Sequence, residues 1–130
     1  MLVSYLVSLL LSMNRSFKFE ELRVYQDAIK FVDMVYELTE KWPREERYNL
    51  TDQFVRAAVS IVLNIAEGSG RTRKDFQHFI SNSRGSVYEC VAIISIAHTR
   101  KLINKEEYEK MYEECVRLAK MLTALKRSLK

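Results

Sequence analysis

The chain has 130 residues, 48% of them hydrophobic, with 3 Gly, 1 Pro and 2 Cys. That is enough to bury one core without disulfides or a metal, and it calls for no second domain. So few glycines and prolines exclude an all-β or alternating α/β chain, whose turns need them, and leave an all-α fold, while a formal net charge of +4 permits an anionic partner without demanding one.

The opening stretch MLVSYLVSLLLS is apolar and uncharged. At ~1.5 Å per helical residue it is too short to span a ~30 Å hydrocarbon core. It also lacks the basic leader and small-residue cleavage site of a signal peptide, so no membrane partner and a cytoplasmic location are expected. The segment reads as a start codon placed too early, with Met13 as the native start; residues 1–16 are taken as an amino-terminal extension and 17–130 as the domain.

The first helix is expected from Leu22 to Lys41, with a seam of Leu22, Tyr25, Ile29, Val32 and Tyr36 at spacings of three and four, and Pro43 to end it. Asn49, with Asp52 behind it, offers an N-cap to a second helix over Leu50–Glu67. Gly68 stands where a left-handed C-cap is expected, and Gly70 lets the chain turn again. Thr72, with Asp75 three residues on, caps a third helix from Arg73 to Leu102, whose seam is Phe76, Ile80, Ser83, Val87, Cys90, Ile94 and Ala97. Asn104 with Glu107 caps a fourth, on which Tyr108, Met111, Cys115, Leu118, Leu122, Leu125 and Leu129 repeat in heptad fashion. Four apolar seams joined by short connections give an antiparallel up-and-down four-helix bundle.

Gln53, Arg56, Ser60, Asn64 and Glu67 fall on one polar stripe of the second helix, whose other faces are almost wholly apolar. A second polar row, Asn82, Ser86 and Glu89 beside Gly85, lies on the third helix. The two rows are expected to meet as a structural polar network, within one chain or between subunits, with Arg56 and Arg84 to neutralise the carboxylates. The apolar load of the second helix independently asks for a homo-oligomer.

Charge is unevenly spread. Residues 20–47 are rich in acids, whereas 71–101 hold Arg71, Arg73, Lys74, Arg84, Arg100 and Lys101 against Asp75 and Glu89. Arg71, Arg73 and Lys74 lie where a helix N-terminus already carries partial positive charge, an arrangement that an anion would relieve. With Arg84, Arg100 and Lys101 they form the candidate nucleic-acid-binding surface, reading phosphates rather than bases. Lys120, Lys126, Arg127 and Lys130, by contrast, are accounted for by the negative end of the fourth helix and need no ligand.

Enzymatic signals are missing. Asp75 and His78 give one Asp-x-x-His, but a di-metal bundle needs a second acid-x-x-His copy, and His98 has Ser95 at the matching place. No catalytic residue, metal ligand set or cofactor is expected. Cys90 and Cys115, on apolar faces and far apart in sequence, read as buried free thiols.

Several segments together carry a resemblance: Phe19-Glu20-Glu21-Leu22 with Val24-Tyr25-Gln26; Trp42-Pro43 with Glu46, Tyr48 and Leu50; Arg56-Ala57-Ala58-Val59-Ser60-Ile61 leading into Asn64-Ile65-Ala66-Glu67-Gly68; and Gly85-Ser86-Val87-Tyr88-Glu89. From Phe17 to Lys130 the chain resembles the four-helix bundle proteins encoded in 23S rRNA intervening sequences, a group related to the accessory proteins of diversity-generating retroelements. The resemblance implies a ring-forming, often pentameric bundle, with nucleic acid, RNA before DNA, and a reverse transcriptase as partners. Val62 stands where relatives commonly place proline, so the kink a proline imposes is not carried over. The function expected is therefore a non-enzymatic, nucleic-acid-binding homo-oligomer; the alternative is a protein-interaction scaffold.

Overall fold

The computed structural model describes Leu2, Ser4, Tyr5 and residues 17–130; the extension assigned to residues 1–16, with its start at Met13, otherwise lies outside the described residues. Four helices follow one another: α1 (Arg23–Thr39), α2 (Leu50–Ser69), α3 (Arg73–Thr99) and α4 (Lys105–Ser128). Short 3-10 turns at Lys18–Glu21 and Arg44–Glu46 precede α1 and α2, and no strand occurs among the described residues. Each helix packs on its neighbours in sequence, α2 on α3 most extensively, α3 on α4 next, and α1 on α4 most thinly. Short connections force the chain to reverse at each turn, so the fold is the expected antiparallel up-and-down four-helix bundle.

Two helix starts are as the sequence indicates. Thr72 accepts a hydrogen bond from the Asp75 amide at 3.2 Å, and Asn104 and Glu107 form a reciprocal capping box. Asn49 does not cap α2. Its side-chain amide instead donates to the Glu45 carbonyl at 3.1 Å, tying the preceding turn, and only its backbone carbonyl engages the helix. Gly68 is likewise no left-handed cap: α2 runs through it to Ser69, and no glycine has positive φ. Its function is close approach, since a Cβ there would sit 2.5 Å from the Cβ of Phe79 and 2.9 Å from Phe76 Cδ1. The left-handed residue is Lys101 (φ 65°), which closes α3 in a Schellman turn with Leu102 N–H donating to Ala97 and Lys101 N–H to His98.

The seams of α3 and α4 are those expected; every residue of the α3 seam is buried, as are Met111, Cys115, Leu118 and Leu122. On α1 the expected seam is rotated. Val24, Ala28, Phe31, Val35 and Leu38 form the buried row, while Leu22, Tyr25, Ile29 and Val32 are half-buried and Tyr36 is exposed. Both rows have helical spacing and differ by one or two positions, and the true one places Phe31 at the centre. Trp42 closes the α1–α2 corner, stacked on Phe54 at 6.0 Å.

Asp27, only 5% exposed, lies on the α1 side facing α4 and receives a 2.9 Å hydrogen bond from Arg117. Arg117 also pairs with Glu114, and these hydrogen bonds and charges hold its guanidinium more firmly protonated. Lys41 and Glu107, 3.6 Å apart, bridge the same two helices at their other end.

Candidate nucleic-acid interface

The polar stripe of α2 straddles a boundary. Ser60 and Asn64 lie on its inner edge. The Asn64 amide donates to both the carbonyl (2.9 Å) and hydroxyl (3.1 Å) of Ser60, whose Oγ receives the Ser86 hydroxyl at 2.9 Å. Ser83, fully buried and expected only as a seam residue, donates to the Ile61 carbonyl at 2.6 Å. The expected network is thus narrower within one chain. Arg56 and Glu67 lie roughly 40–60° further round the helix, where Arg56 pairs with Asp52 at 3.5 Å and Glu67 with Arg71 at 2.9 Å. Gln53, Gly85 and Glu89 are exposed, and a Cβ on Gly85 would meet nothing within 4 Å. Arg56 and Arg84 neutralise no buried carboxylate, because Glu67 and Glu89 both face solvent.

The six basic residues singled out from sequence do not form one surface. Helix α3 has 27 residues, about 40 Å of rise, so Arg73 and Lys74 at its start stand at the opposite end of the bundle from Arg100 and Lys101. Arg71 is held by Glu67 and lies over the Phe79 ring, 5.0 Å from its centroid.

The carboxyl-terminal half of α4 runs alongside Arg84 and back toward the end of the bundle at which Arg73 and Lys74 stand. The antiparallel packing sets Lys126 against α3, where its ammonium donates to Ser81 Oγ at 2.7 Å. Arg84, Lys120, Thr123 and Arg127 line a hollow of about 410 Å³ in the α3–α4 seam, with no carboxylate in its walls. Arg84 Nη2 donates to the Tyr88 hydroxyl at 3.0 Å, while its Nε is buried without a hydrogen-bond partner among the described residues. The macrodipole accounts for Lys126 and Arg127 in the last turn of α4 but not for Lys120, nearly two turns earlier.

A second hollow of about 410 Å³ continues along the same seam, walled by Tyr88, Val91, Ala92, Tyr112, Val116 and Ala119. Ala119 borders both hollows. Tyr112 stacks on Tyr108, which stacks on His98, leaving Tyr112 43% and Tyr88 60% exposed.

Cys90 and Cys115 are buried free thiols. Burial pushes Cys115 up to about 12 and raises Cys90 further, so neither is a nucleophile at neutral pH. Among the described residues no group of three or more His, Cys, Asp or Glu side chains gathers to hold a metal, and no helix is long and apolar enough to cross a membrane.

No curated protein matches the chain. A crystal structure from Bacteroides thetaiotaomicron, of a protein with unknown function from the S23 ribosomal protein family, superposes with a TM-score of 0.74 at 20% identity. The match covers 79% of this chain and 97% of that one. At that identity the likeness speaks for the fold, four helices in the same arrangement. The sequence model of the 23S rRNA-intervening sequence protein family matches residues 20–124, from the turn before α1 to the last turns of α4. The four helices up to the last turn of α4, with the whole α2–α3 seam, Arg84 and Lys120, fall within that span, Lys126 and Arg127 lie just past it, and the chain belongs to the 23S rRNA-intervening sequence protein family.

Proposed function

We propose that the protein is a non-enzymatic homo-oligomer, a ring of five in line with the family resemblance, that binds nucleic acid through phosphates at the basic end of its bundle. The observation that carries this reading is charge segregation by packing. From Arg73 to Tyr88 the sole acid is Asp75, and from Cys115 to Lys130 there is none, whereas the first ten residues of α4 hold Glu106, Glu107, Glu109, Glu113 and Glu114. Arg73, Lys74, Arg84, Lys120, Lys126 and Arg127 thereby share one end and edge, which suits a polyanion. The family's name ties it to intervening sequences of 23S rRNA, which favours RNA over DNA.

Oligomerisation is supported by apolar surface that the single chain leaves open. Val55, Val59 and Leu63 form an outward row on α2, with Leu63 59% exposed, beside a shallow hollow reaching Ser60 and Glu67. Light scattering is expected to give a multiple of the chain mass at micromolar concentration; a monomer ends that part of the reading. For binding, affinity for a structured RNA is expected to fall steeply from low to physiological salt, with the log–log slope flattening by roughly 0.7–0.9 for each phosphate contact removed. Arg73→Ala with Lys74→Ala and Lys126→Ala tests this, and Arg100→Ala with Lys101→Ala at the far end is the control. Binding that ignores salt, or that survives the first set unchanged, defeats the nucleic-acid role. A second reading, a protein scaffold for a reverse transcriptase or another protein, draws on the same row at Val55, Val59 and Leu63. A protein partner retained through nuclease and high salt, and lost on Leu63→Glu, decides for it.

A further inference from the structure

We infer that the α3–α4 seam takes a single-stranded segment of nucleic acid, one phosphate in the hollow of Arg84, Lys120 and Arg127 and the adjoining base against Tyr88 and Tyr112. The inference rests on the nucleic-acid reading above and names the form of polymer that this edge accepts.

The two hollows adjoin. They share Ala119, and the Arg84 guanidinium is hydrogen-bonded to the Tyr88 hydroxyl at their junction, with its centre 5.6 Å from the Tyr88 ring centroid. On one side lie three cations without a carboxylate, and a phosphate oxygen is an acceptor of the right charge for this cradle. On the other side lies an apolar trough with two exposed tyrosines. Exposed aromatic rings beside a cation cluster are the elements by which proteins hold unpaired bases, since every base has a stacking face and no hydrogen-bond code is required. A duplex keeps its bases stacked inside and can use the cations only. Small residues support this use of the trough, because Ala92 and Ala119 leave room beside the rings.

The experiment compares a labelled oligouridylate with a blunt RNA duplex by fluorescence anisotropy on the full-length protein. Wild type is expected to bind the single strand more tightly than the duplex. Tyr88→Ala with Tyr112→Ala is expected to weaken the single strand about tenfold while leaving the duplex unchanged, and Tyr88→Phe with Tyr112→Phe to restore it. Both tyrosines are exposed, so thermal unfolding should be unaltered, which confirms that the loss is not misfolding. Lys120→Gln with Arg127→Gln should weaken both probes and flatten the salt dependence. Equal affinity for the two probes, or single-strand binding untouched by the alanine pair, overturns the inference while leaving the phosphate-binding role standing if the cation variants still weaken. Loss of self-association in the alanine pair with unaltered single-strand affinity assigns the trough to a second copy and overturns it too. Binding of neither probe at low salt brings down the underlying reading itself.

Discussion

The two flanks of α3 are built on opposite plans. Toward α2 the helix presents small and hydroxylated residues, and the seam is closed: Gly68 admits Phe79, Ser83 bonds the Ile61 carbonyl, and Ser86 bonds Ser60. Toward α4 the outer edge of the seam stays open, with two hollows and a guanidinium N–H lacking a partner. Close packing with every polar group satisfied is what stability selects. An open edge that gathers like charges has no such rationale, which favours a functional role for this edge over the polar stripe of α2.

The sharpest way to break the comparison is to make the same substitution in both places. Gly68→Ala should destabilise the bundle by about 2–3 kcal/mol, because the new methyl would drive into the Cβ of Phe79, which cannot rotate away. Urea denaturation would show a lowered midpoint with an unchanged slope. Removing a polar closure of the same seam is milder. Ser83→Ala should cost about 1 kcal/mol, the net worth of one buried hydrogen bond to a carbonyl. On the outer face the sign reverses. Gly85→Ala should stabilise the isolated chain by about 0.5–1 kcal/mol, since a Cβ there meets nothing and alanine is the better helix former. If instead the variant weakens self-association in sedimentation, that face is covered by another copy.

The smallest effect, and one confined to alkaline pH, comes from the titration of the thiols where α3 meets α4. Both are shifted upward by burial from an ordinary 9.0, Cys115 to about 12, so the folded chain holds protons that the unfolded chain releases. Their contribution to stability is fully present below about pH 9 and is lost as pH rises from there through the folded values. A Cys90→Ala, Cys115→Ala variant should show a flatter alkaline limb in stability measured against pH, on top of a pH-independent loss from the two cavities it leaves in the core.

Much of this was readable in advance because it depends on local chemistry. The caps at Thr72 and Asn104 are three-residue patterns, and on α3 and α4 the row of apolar residues at helical spacing is the row the fold buries. On α1 two apolar rows compete, and the choice between them is made by α2 and α4. Gly68 followed by Ser69 and Gly70 has the composition of a helix stop; that it serves a helix crossing depends on Phe79, eleven residues away in the chain. Arg71 to Lys74 were visible as a basic turn, but Arg100 and Lys101 were grouped with them only because sequence distance ignores the direction of α3. The meeting of Arg84 with Lys120 and Arg127 requires the register between two antiparallel helices, which no single-helix pattern encodes. The end-of-helix explanation for α4 covers Lys126 and Arg127, which lie in its last turn, and does not reach Lys120.

The Asp27–Arg117 bond joins residues 90 positions apart, across the thinnest contact of the bundle. The three more extensive contacts between helices are between sequence neighbours, so they can zip from turn to turn with short loop closures, a topology that folds fast. The bond across α1 and α4 is then the last to form and belongs to the native side of the barrier. Arg117→Met, which leaves the buried Asp27 carboxylate only the longer 3.9 Å pairing with Arg23, should accordingly speed unfolding while leaving the refolding rate nearly untouched. In kinetic terms this pair is a latch: it governs how long the bundle stays shut, and contributes little to how quickly it closes.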